Sequence, residues 1–94
     1  MFDLFVEMKL KPEAQVGLEK TYKEVFRPAI SSQEGFRGVE LLRPNQAGGD
    51  WRLSIAFESH DLQKKWVALD LHQEVWPRME SHFADYSVND YTSV

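Results

Sequence analysis

The sequence contains no cysteine. That excludes disulfides, thiol nucleophiles and cysteine-ligated metals, and it fits a reducing, cytoplasmic setting. It also lacks any apolar run near the roughly 20 residues that cross a bilayer. The opening stretch, MFDLFVEMKLKPE, sets Asp3 and Glu7 among its apolar residues, so it does not read as a signal peptide. No membrane partner is expected. Clustered cations are missing too: Lys9, Lys11, Lys20, Lys23, Arg27, Lys64 and Lys65 are scattered, and the formal net charge is −4. Phosphate binding needs cations gathered on one face, so nucleic acid is not expected as a partner. No HxH or HxxxH pair occurs, and no metal site is expected. Gly48 and Gly49 suit a hairpin and not a phosphate loop.

What remains is a globular composition. Of 94 residues, 43% are hydrophobic and 13% aromatic, enough for one small domain spanning residues 1–94. So small a domain buries a modest share of its surface, and pairing with a second copy would help it.

The periodicity changes along the chain in an ordered way. Phe2, Leu4, Val6, Met8 and Leu10 alternate with Asp3, Glu7 and Lys9, as in a half-buried strand, with Phe5 as the exception. After Pro12, the residues Ala14, Leu18, Tyr22, Val25, Phe26 and Ala29 recur at helical spacing, and Pro28 is expected to kink or end that helix. Gly35 marks a turn. FRGVELLR and WRLSIAFE alternate around a PNQAGGD hairpin. Ser59 is placed to cap a helix carrying Leu62, Trp66 and Leu69. Asp70 is expected to cap another, with Gln73 completing a capping box and Leu71, Val75, Met79 and Phe83 as its stripe. YSVNDYTSV alternates as a last strand. The order β-α-β-β-α-(α)-β predicts an α+β fold of the ferredoxin-like split βαβ type with an antiparallel sheet. One sheet face is strongly apolar and takes the helices. The other is mostly small or polar, relieved by Phe5 and Leu42, and could meet water or another copy.

Three segments, EGFRGVELL, WRLSIAFES and LQKKWVALDLHQEV, together resemble the antibiotic biosynthesis monooxygenase (ABM) family. The matching features are a glycine-aromatic-x-glycine opening to the second strand, the pair Phe57-Glu58 closing the third, and a helical Trp66 followed by His72. The resemblance covers nearly the whole chain. It implies a dimeric α+β barrel, with the last strand reaching toward the partner subunit. It also implies oxygenation of an aromatic or quinol-like small molecule by dioxygen without metal, flavin or other cofactor. A non-catalytic dimeric ligand-binding or stress-response protein of the same fold is the alternative. Haem degradation is a third: it would need an asparagine on the first strand, where Leu4, Phe5 and Val6 stand, and a histidine ten residues beyond Trp66, where Trp76 stands.

Within this frame His72 is the candidate catalytic residue, acting as base or acid, or orienting a substrate oxygen. The competing reading is a histidine that bonds a backbone carbonyl or faces solvent. Trp66, Trp76, Met79 and Phe5 are the candidate substrate-binding residues. For Trp66, core packing is an equally physical explanation, and both can hold. His60 is expected at the surface and His82 near a helix C-terminus, where a cation is mildly favoured. Arg37 and Arg52 are expected to be solvated strand cations. WVALDLHQEVWPRM divides at Asp70, so Trp66 and His72 belong to different helices. Whether His72 turns inward then depends on the corner between them and on Pro77, expected to bend or restart the second helix.

Overall fold

The computed structural model describes residues 1–94. Four strands, β1 (Phe2–Leu10), β2 (Phe36–Leu42), β3 (Trp51–Phe57) and β4 (Phe83–Thr92), form one antiparallel sheet in the order β2-β3-β1-β4. Helices α1 (Gln15–Thr21), α2 (Arg27–Ser31), α3 (His60–Val67) and α4 (Asp70–Glu80) cover one face. The fold is the α+β split βαβ arrangement that the periodicity predicts.

The alternation in β1 and β3 decides which face is covered. Val6, Met8, Leu53, Ile55 and Phe57 are buried under the helices. Directly opposed residues of antiparallel strands share a face. The register Val6↔Val88 and Met8↔Tyr86 therefore puts Val88 and Tyr86 on the helix side. The register Phe5↔Asn89 puts Phe5 on the other side, beside the Tyr91 ring (5.6 Å between centroids) and under the Arg52 guanidinium (5.4 Å). β4 is an edge strand, and every residue of it after Phe83 is exposed.

Leu18, Tyr22, Phe26 and Ile30 are all buried, each four residues after the last. In a regular α-helix a spacing of four drifts by about 40° per step. A π-helical turn from Tyr22 to Phe26 joins α1 to α2 and absorbs that drift, with Arg27 N–H donating to the Tyr22 carbonyl. Pro28 lies directly after it. Its missing amide falls where the hydrogen-bond ladder has already changed pitch, so the helix runs on to Ser31 instead of ending at the proline.

Two further expectations at helix starts are settled differently. Ser59 does cap α3, its Oγ accepting from Leu62 N–H at 3.2 Å. Asp70 does not cap α4: Leu69 holds the cap position and Asp70 is the first helical residue, where its charge favours the helix N-terminus. Gln73 makes no capping box; its amide donates to the Val67 carbonyl at 2.9 Å and ties the α3–α4 corner. Pro77 sits within α4 without interrupting it.

Candidate functional site

Helix α4 points a different stripe at the sheet from the one its apolar periodicity suggests. Val75 and Met79 are buried and His72 and Trp76 half-buried, while Leu71 is 38% exposed. The inward face is thus His72, Val75, Trp76 and Met79, spaced by three and four. Phe83, the last of the expected stripe, opens β4 instead.

Between this face, α3 and the sheet lies a cavity of about 190 Å³. Leu4, Val6, Ile55 and Val88 form its floor. Phe26, Trp66 and Val67 line the helical side, with Trp76 and Tyr86 completing the apolar wall. Trp76 sits over Phe26 at 5.8 Å and meets Tyr86 edge-on at 6.2 Å. Two lining residues are polar in character, His72 and Gln63.

His72 is held by aromatic rings alone. Its imidazole is perpendicular to the Trp66 indole at 5.0 Å and nearly parallel to Trp76 at 6.3 Å. Its Nδ1 is shut off from water and hydrogen-bonds nothing, alone among the buried side-chain polar atoms. Burial pushes the imidazole below its ordinary pKa of 6.5, and the negative charge of Glu80 only partly offsets this. The loss of hydration penalises the cationic ring, so His72 is neutral at physiological pH.

Tyr86 donates to Glu80 Oε2 at 2.6 Å, a bond that raises the phenol above its usual pKa of 10.0 and keeps it protonated. Elsewhere the histidines are engaged. His82 Nε2 meets Thr21 Oγ1 at 3.0 Å, and the exposed His60 stacks on Phe2 at 4.4 Å. Arg37 pairs with Glu58 at 2.7 Å and Arg52 with Glu7 at 2.6 Å, so the two strand arginines serve surface ion pairs.

This arrangement, a split βαβ sheet with Trp66, His72 and Trp76 around a cavity under the helices, coincides with a family-level match. The family model described as antibiotic biosynthesis monooxygenase matches residues 1–77. The chain belongs to the ABM family. Solved structures carry the same fold at low identity. SnoaB, a cofactor-independent oxygenase from Streptomyces nogalater, has a TM-score of 0.83 at 15% identity, with 99% of this chain and 93% of that chain covered. A Bordetella bronchiseptica protein assigned to the antibiotic biosynthesis monooxygenases has a TM-score of 0.85 at 20% identity, covering 99% and 96%. Rv0793 from Mycobacterium tuberculosis has a TM-score of 0.80 at 13% identity, covering 99% and 94%. No curated protein matches the sequence.

Set in the ABM domain, the residues singled out from sequence divide. Trp66, His72 and Trp76 converge on the cavity. Met79 does not line it: it is fully buried one turn beyond Val75 and fills the core. Phe5 does not line it either, because strand alternation carries it to the opposite sheet face. Gln63 and Tyr86 were not singled out from sequence. The signal for Gln63 was its place three residues before Trp66, on the same helical face. For Tyr86 it was the strand register. No helix is long and apolar enough to cross a membrane.

Proposed function

We propose that this ABM protein is a cofactor-free monooxygenase that oxidises an aromatic or quinol-type small molecule with dioxygen. The observation that carries the reading is His72: a neutral imidazole with an orphaned Nδ1, on the wall of a cavity that is otherwise almost wholly apolar. A neutral histidine is a base in waiting, and a largely apolar pocket favours charge transfer inside the substrate over solvation of the ions. Nδ1 is the sealed nitrogen, so Nε2 is the one a ligand reaches. In the tautomer with its hydrogen on Nδ1, the Nε2 lone pair is free to accept.

In this reaction His72 takes the proton of a substrate hydroxyl. The resulting anion is electron-rich and passes one electron to dioxygen, and the radical pair recombines at a ring carbon. A hydroquinone and dioxygen then give a hydroxylated quinone and water. One oxygen atom enters the product, the other leaves as water, and the substrate supplies all the electrons. Trp66, Trp76 and Phe26 confine the ring.

The mixed outer sheet face, with Phe5, Leu42 and Tyr91 half-buried or exposed, is the surface through which two copies pair as a barrel. The absence of cysteine accords with a cytoplasmic site of action.

The test is oxygen uptake by chelator-treated protein with anthrone and with a hydroquinone, followed by mass analysis of product formed under labelled dioxygen. One labelled oxygen per product molecule supports the reading. Ligand binding without uptake above the buffer rate replaces it with a binding protein of the same fold.

A further inference from the structure

The cavity's dimensions and its two polar groups specify the ligand more closely than the reaction class does. An apolar cavity of about 150 Å³ holds a single benzene ring. This one measures about 190 Å³. It therefore has room for one ring with small substituents and not for a fused system, and its Tyr86 and Val88 rim is exposed. No lysine, arginine, aspartate or glutamate lines it. A charged ligand would lose its hydration there with no countercharge to replace it.

The second polar group is Gln63, on α3. Two other glutamines spend their amides on the chain: Gln33 donates to the Ala29 carbonyl and Gln73 to the Val67 carbonyl, each at 2.9 Å. Gln63 makes no such bond, and it is the one lining residue whose side chain carries both amide donors and an acceptor.

We propose that the cavity takes an uncharged, single-ring aromatic molecule with two hydrogen-bonding substituents, one meeting His72 and the other meeting Gln63, and that Gln63 sets this specificity. The proposal rests on reading the cavity as a substrate site, and deepens it. Gln63 is a positioning residue: it selects and aligns the ring and takes no proton from it.

Anaerobic titration of tryptophan fluorescence tests this without turnover, since Trp66 and Trp76 wall the cavity. The probes are hydroquinone, phenol, anthrone and 4-hydroxybenzoate. Hydroquinone binds wild-type protein at least about tenfold more tightly than anthrone or 4-hydroxybenzoate. Q63L and Q63A each weaken hydroquinone by about tenfold, the loss of one hydrogen bond in a largely apolar site. Both leave phenol binding, which uses one polar group, within about twofold. Thermal melts at the wild-type temperature confirm that both variants fold. Anthrone binding as tight as hydroquinone, an equal loss for phenol and hydroquinone in the variants, or no saturable binding of hydroquinone overturns the proposal. Failure of the oxygenase reading shows itself separately, as tight anaerobic binding with no oxygen uptake when air is admitted.

Discussion

His72 and Trp66 stand perpendicular with their ring centroids 5.0 Å apart, although they belong to different helices. The short corner at Ala68 and Leu69, tied by the Gln73–Val67 bond, brings them together. The contact surrounds an imidazole with rings and gives its Nδ1 no acceptor.

That environment sets a pH dependence. The folded pKa of His72 lies below 6.5, so between that folded value and 6.5 the unfolded chain binds the proton more readily. The stability linked to this group is complete above about pH 6.5 and falls as pH drops through the folded pKa. Denaturant melts across this range should show the loss in wild-type protein and a smaller one in His72→Phe. In kcat/KM the acid limb should likewise lie below pH 6.5, because the base must be neutral. His72→Ala should lower kcat/KM by about 10²- to 10⁴-fold, the usual worth of a positioned base.

Trp66 serves the core and the cavity at once. It is 3% exposed and meets Phe26 edge-on at 6.4 Å. Trp66→Ala should destabilise by about 3–5 kcal/mol. Trp66→Phe should retain the fold in thermal melts while weakening ligand binding. Met79→Ala should cost about 2–5 kcal/mol of stability, as its side chain fills core. The milder Met79→Leu should leave ligand affinity unchanged, because Met79 does not touch the cavity.

Gly35 fixes the approach of β2 to α3. Its φ is +78°, and a Cβ there would come within 2.4 Å of Leu62 Cδ1. Its carbonyl also accepts from Glu58 N–H at 2.8 Å. Gly35→Ala should destabilise by about 1–3 kcal/mol through the left-handed backbone, with added cost from the displaced Leu62. Denaturant melts measure it.

Phe5 offers a test of pairing. It lies on the outer sheet face with Tyr91, away from the cavity. Phe5→Glu should convert a dimer to a monomer in light scattering, while a monomeric wild-type protein would contradict pairing through this face.

Much of this was legible in the sequence because burial imposes period. The alternation of β1 and β3 gave strands and faces, and the ABM resemblance drew on residues that do sit together, Trp66 and His72. Where structure and sequence pattern part, tertiary packing overrides a local signal. Leu71 is more apolar than His72, so apolar periodicity points it inward, yet packing against α3 and the sheet turns His72 in and leaves Leu71 38% exposed. Asp70 has the chemistry of a cap but sits one residue too late. Pro28 and Pro77 are helix breakers by propensity, and packing keeps both helices intact. Phe5, a candidate substrate-binding residue, breaks the β1 alternation, and strand parity carries it to the outer face. Gln63 shares a helical face with Trp66, but that spacing alone does not single it out; its unpaired amide matters only beside the cavity.

The most direct measurement is a crystal structure of the protein soaked anaerobically with hydroquinone. The account predicts the ring between Trp66, Trp76 and Phe26, with one hydroxyl oxygen about 2.6–3.2 Å from His72 Nε2. A ring bound elsewhere, or a bound ring whose oxygens both avoid His72, would contradict it.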